Sequence, residues 1–155
     1  MIGDRRTKVM FVCLGNSCRS PMAEAIAAHI ASDILEVSSA GLVPLGKVQS
    51  LTIATLERNG YPAGELRSKP LRYGDVEDSD IVVNMSGQPG GVVFYDTSKV
   101  EDWAVEDPFG ADPETYQRIF EEIEGRVVDL VTRVRKTGAT PFLSGNISEE
   151  GAGPC

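Results

Sequence analysis

The chain has 155 residues, 23 acidic against 15 basic side chains, a net charge of −8 and 41% hydrophobic content. That length suits one domain burying about 70% of its unfolded surface, and the acidity argues against nucleic acid as a partner, because phosphate backbones attract broad basic surfaces. No apolar stretch approaches about 18 residues and no apolar run follows the charged N-terminus, so neither a membrane span nor a secretory leader is expected. Three cysteines and one histidine fit reduced thiols in the cytoplasm rather than a disulfide framework or a structural zinc site.

Lys8 to Val12 forms the first predicted strand and ends on Cys13. The chain then turns through Gly15 and Asn16, residues that tolerate left-handed backbone. Ser20-Pro21 reads as a cap followed by proline at the first helical position. The helix from Pro21 to Ala31 carries Met22, Ile26 and Ile30 as a sheet-facing stripe, and His29 lies at the edge of that stripe as a core-edge residue. Leu35 to Ser39 is a short second strand. Val48 to Asn59 reads as a helix stopped by Gly60, and Asp80 to Met85 as a buried strand. Residues 98 to 103 complete the strands, and Pro113 to Lys136 forms a long amphipathic helix with Tyr116, Phe120, Ile123, Val127 and Leu130 on one face. The alternation predicts an α/β fold, a single doubly wound domain over residues 1–137 with a four-stranded parallel sheet and helices on both faces. Residues 138–155, rich in glycine, proline and small polar residues, read as a flexible C-terminal tail, tacked down through Phe142-Leu143 and ending in an inert thiol at Cys155.

The chemistry gathers after the first strand. A free thiol is mostly protonated at neutral pH and needs an electropositive setting to act as a nucleophile. A strand running into a helix directly after Cys13 aims the N–H groups of Leu14, Gly15, Asn16, Ser17, Cys18 and Arg19 at the concavity around its sulfur. Arg19 adds a planar cationic fork that matches two phosphate oxygens, and Ser20 is placed to donate to the sulfur. The same cradle would hold a dianionic substrate and then its transition state. By spacing alone, a cysteine and an arginine six positions apart would arise by chance in roughly one such chain in five, so the strand, the turn residues and the helix start carry the inference. At ordinary odds Asp107-Pro108 is a solvated turn; beside this loop, Asp107 becomes a proton donor for the leaving group. Glu106 is the neighbouring alternative acid.

Residues 13 to 24, Cys-Leu-Gly-Asn-Ser-Cys-Arg-Ser-Pro-Met-Ala-Glu, resemble the signature of the low-molecular-weight protein tyrosine phosphatases. That superfamily is shared with phosphoarginine phosphatases and thioredoxin-coupled arsenate reductases. Ser39-Ala40-Gly41, Asp107-Pro108 and the final long helix extend the resemblance over roughly residues 7–137. It implies a protein phosphatase, phosphotyrosine-type with phosphoarginine also open, that works through a cysteinyl-phosphate without metal or cofactor on a phosphorylated protein or peptide. The implied catalytic residues are Cys13, Arg19 and Asp107, with Leu14, Gly15, Asn16, Ser17, Cys18, Ser20 and Phe109 around the substrate. Asp-Pro-Phe-Gly lacks the aromatic pair of many tyrosine-specific members and resembles the phosphoarginine enzymes. Ser17 and the short Gly41–Gly60 connection instead look like the arsenate reductases, which makes thiol-dependent arsenate reduction the alternative. The loop Met85 to Gly91 has none of the cysteines that branch carries there, leaving Cys18 and Cys155 as substitutes. Cys18 reads as a small buried residue or as a redox partner of Cys13.

Overall fold

The computed structural model describes residues 5–137 and 154–155. Four strands, β1 (Thr7–Cys13), β2 (Leu35–Gly41), β3 (Ile81–Asn84) and β4 (Val100–Asp102), form one sheet in the order β2-β1-β3-β4. All its pairings are parallel, with Cys13 opposite Gly41 and Val12 opposite Asn84. Five helices, α1 (Arg19–Ile30), α2 (Ser50–Arg58), α3 (Tyr73–Asp78), α4 (Gly90–Val93) and α5 (Pro113–Thr137), surround it.

The period-2 alternation of β1 divides the core. Val9, Phe11 and Cys13 face a large apolar cluster with Met22, Ile26, Ile119, Phe120, Ile123 and Val127 of α1 and α5, whereas Met10 and Val12 face a smaller one completed by Val82, Phe94 and Val100. Val76 of α3 and Val93 of α4 pack against the smaller cluster, so helices lie on both faces, as expected. Chain order reverses direction at β1, since β2 lies on one side of it and β3 on the other. In parallel sheets that reversal opens a crevice beyond the carboxyl ends of the strands, where Cys13 stands.

Three local features differ from the sequence-based expectation. α1 begins at Arg19 with Cys18 as its N-cap and no side-chain cap, so Ser20-Pro21 lies inside the first turn. Proline is tolerated there because the first N–H groups of a helix have no partner in any case. α3 buries no residue, so it carries no apolar stripe to be recognised by. α4 consists of Gly-Gly-Val-Val, a poor helix sequence, and its first N–H is held from across the chain by Asp102 Oδ2 at 3.2 Å. The described residues contain no helix long and apolar enough to cross a membrane. Of the expected 138–155 tail, Phe142-Leu143 and all residues up to 153 fall outside the described residues. Cys155 is described, and it is not an inert exposed thiol: it is buried and bonded to Cys18.

Candidate active site

Every carbonyl of the loop that is fixed by a partner points outward. Cys13 O accepts from Leu42 N at 3.1 Å, Leu14 O from Val43 N at 2.8 Å, Gly15 O from Leu45 N at 3.0 Å and Ser17 O from Gln49 N at 3.1 Å. Across a planar trans peptide the N–H of the next residue points the opposite way. The N–H groups of Leu14, Gly15, Asn16 and Cys18 are thereby turned to the inside of the loop. Ser20 N closes the ring at 3.5 Å from Cys13 Sγ. Gly41 makes this approach possible, because a Cβ there would lie 2.8 Å from both Asn16 N and Leu14 O.

Asn16 is the keystone of the loop and the described non-glycine residue with a left-handed backbone, at φ 48°. Its Oδ1 accepts from Lys69 N at 2.9 Å, which fixes the amide orientation, since an N–H can only face an acceptor. Nδ2 must then donate to Ser20 Oγ at 2.7 Å and Ser39 Oγ at 3.0 Å. With its lone pair so engaged, Ser20 has its hydroxyl hydrogen available for Cys13 Sγ, 3.0 Å away. Ser39 in turn donates to Glu24 Oε1 at 2.5 Å, and Lys69 Nζ lies 3.9 Å from the same carboxylate oxygen. A continuous chain of hydrogen bonds thus runs from an ion pair at the rim to the thiol.

Cys13 and Arg19 both have 0% of their surface exposed. Arg19 donates to Val105 O at 3.0 Å, and its Nη2 stands 4.0 Å from Asp107 Oδ2. Burial pulls its pKa below the ordinary arginine value, while the charges of Cys13 and Asp107 oppose that shift. Asp107 follows β4 on a loop whose side-chain carboxylate is only 6% exposed. Oδ1 accepts from Phe109 N at 3.0 Å and Oδ2 from Cys155 N at 2.8 Å. Glu106, the neighbouring acid, points to solvent and pairs with Arg118 at 3.2 Å. The fold thus brings Asp107, not Glu106, to the loop.

The remaining expected residues divide. Leu14 is half-buried beside the cysteine, and Phe109 is 43% exposed at the rim. Ser17 is turned away, its hydroxyl donating to Lys47 O at 2.8 Å and accepting from Gln49 Nε2 at 3.1 Å, so only its backbone remains for an anion. Cys18 is bonded not to Cys13 but to Cys155, and Cys13 is the free cysteine. Glu24, Lys69 and the hydroxyl of Tyr116, 3.4 Å from Cys18 Sγ, belong to the site without having been singled out. Lys69 had no local signal, since it meets Asn16 from 53 positions away. Among the described residues, Cys18, Asp107 and Cys155 place potential metal-ligand atoms within 4.8 Å of one another, but two of the three are joined in a disulfide and present no thiolate.

Residues 8–140 fit the Low molecular weight phosphotyrosine protein phosphatase family. The chain belongs to that family. It is an enzyme fold shared by several activities. A Glutaredoxin arsenate reductase from Synechocystis sp. is 34% identical over 131 residues, covering 82% of this chain and 98% of the relative. The structure of a low molecular weight protein tyrosine phosphatase from T. tengcongensis superposes with a TM-score of 0.75 at 28% identity, covering 82% of this chain and 99% of that one. The YwlE arginine phosphatase from Geobacillus stearothermophilus gives 0.75 at 26% identity, over 83% and 93% of the two chains.

Proposed function

We propose that this member of the family is a protein phosphatase, phosphotyrosine-type with phosphoarginine as the second substrate class, acting in the cytoplasm on phosphorylated protein or peptide through a cysteinyl-phosphate. The observation that carries it is that Asp107 Oδ2 stands 4.0 Å from the guanidinium of Arg19, an arginine on the same short loop as the free thiol of Cys13. The inward amides and Arg19 bind the phosphoryl oxygens, and Cys13 Sγ attacks phosphorus on the side opposite the leaving oxygen or nitrogen. That leaving atom takes its proton from Asp107. Asp107, now a carboxylate, takes a proton from water as the water attacks the phosphorus, releasing phosphate and restoring the thiolate. Charge that builds on the equatorial oxygens meets donors fixed before the reaction starts, which is where electrostatic catalysis is strongest.

One observation favours a second reading, arsenate reduction: the 34% identical relative carries that activity in its name. Arsenate has the tetrahedral shape and charge the loop is built for. A thiol would then have to attack Cys13 Sγ and release arsenite, and the loop Met85 to Gly91 offers none. An outside thiol such as glutathione would supply it. Release of para-nitrophenol from its phosphate ester by wild type, abolished in Cys13→Ser, is the expected result. A folded, reduced wild type that forms arsenite with glutathione and leaves phosphate esters intact would replace the phosphatase reading with the reductase one.

A further inference from the structure

Pro154 and Cys155 lie directly over the loop. Cys155 has no exposed surface, is bonded to Cys18 and donates its N–H to Asp107 Oδ2 at 2.8 Å. The Pro154 carbonyl packs so closely on Gly15 that any Cβ there would collide with it. Three separate contacts therefore tie these two residues to the nucleophile loop and the acid loop at once. Beneath them Cys13 remains a free thiol and, like Arg19, is wholly buried. The Cys155 N–H engages Asp107 Oδ2, the same oxygen that faces Arg19.

We propose that Cys18 and Cys155 are a redox pair that shuts the phosphate loop: a small disulfide such as glutathione disulfide oxidises them and draws Pro154–Cys155 over Cys13 and Asp107, and a dithiol reverses it. The inference rests on Cys13 being the nucleophile. Cys155 thiolate attacks one sulfur of the small disulfide, forming a mixed disulfide and releasing one thiol. Cys18 thiolate then attacks Cys155 Sγ, forming the protein bond and releasing the second thiol. The two protons of the protein pair end on the two released thiols, and two electrons pass to the small disulfide.

The surroundings of Cys18 suit the attacking role. It is the N-cap of the twelve-residue α1, where the helix dipole favours an anion. The Tyr116 hydroxyl lies 3.4 Å from its sulfur. Burial, with a smaller contribution from the charge of Asp107, raises the tyrosine pKa and keeps its proton in place for donation to that sulfur. Because the bond bypasses Cys13, oxidation covers the nucleophile without consuming it. One exchange with a dithiol then restores activity, whereas over-oxidation of an uncovered nucleophile would be irreversible.

The test is carboxamidomethylation of Cys13 by iodoacetamide in the full chain, followed at that residue by fragmentation mass spectrometry after equilibration with glutathione disulfide or with dithiothreitol. Oxidised wild type should carry a Cys18–Cys155 bond and react at Cys13 more than about tenfold more slowly, the least expected of a cover closed nine-tenths of the time. Dithiothreitol should restore the rate, and Cys155→Ser should react equally fast under both conditions. A mapped Cys18–Cys155 bond with unslowed Cys13 would overturn the proposal, as would oxidation that links Cys13 to either partner or forms no bond. A failure of the phosphatase reading is separable, since it appears as absent turnover by the reduced protein while the alkylation difference persists.

Discussion

The loop after β1 and the loop after β4 contribute to the same site in opposite ways. The first is built into the core. Asn16, Ser20 and Ser39 are buried, and their hydrogen bonds reach Cys13 at one end and Glu24 at the other. The second is anchored by Trp103 and Val105, which are buried, and then leaves the core: Glu106 is exposed, Phe109 and Gly110 are exposed, and Gly110 takes a left-handed turn at φ 79°. Binding of a phosphoryl group calls for donors fixed in advance. In the proposed reaction, proton transfer to the leaving group falls to Asp107 on the second loop. Changes in the first loop should therefore damage stability and catalysis together, and changes in the second catalysis alone.

The largest effect that separates them is expected for Asp107→Asn. On a phosphotyrosine peptide kcat should fall about 10²- to 10⁴-fold, with the urea midpoint little changed. The loss should shrink on para-nitrophenyl phosphate, whose leaving group departs readily without a proton. An equal loss on both substrates would remove Asp107 from the acid role. Next comes Arg19→Lys, which keeps the charge and loses the planar fork; kcat/KM should fall about 10²- to 10³-fold, measured by steady-state kinetics with inorganic phosphate inhibition weakened in parallel.

Asn16→Ala tests the built-in loop. It leaves the Lys69 N–H without its acceptor and puts alanine at a left-handed backbone position, so unfolding free energy from urea titration should drop by about 2–4 kcal/mol. An Asn16→Ala protein as stable as wild type would show that the network does not hold the loop. The smallest effect belongs to Glu106→Gln. Its ion pair with Arg118 joins two exposed side chains, and stability should change by less than about 0.5 kcal/mol, with kcat unaltered. A large fall in kcat there would move the acid role one residue along the chain.

The long α5, with its buried face from Tyr116 to Val134, was legible because an amphipathic period survives in any surroundings. β3 was legible because a run of four buried residues needs no alternation. The one-turn helix α4 was not, since Gly-Gly-Val-Val has no helical preference and takes its shape from the Asp102 carboxylate. Cys13, Arg19, Ser20 and Asn16 were legible as a group because they lie within eight consecutive residues and their chemistry depends on local backbone. The partners of the Ser17 hydroxyl were not legible, since Lys47 and Gln49 reach it from a distant connection while its backbone stays in the loop.

By itself the sequence determined the alternation of strands and helices, the place of the thiol at a strand end and the acidic residue beside a proline, all of which depend on neighbours within one turn or one loop. Only the tertiary structure decided what meets across the chain: Lys69 against Asn16, and Cys155 on Cys18 across 137 positions. Such pairings follow from the packing of helices on the sheet, and no local preference of the chain encodes which distant residue will arrive there.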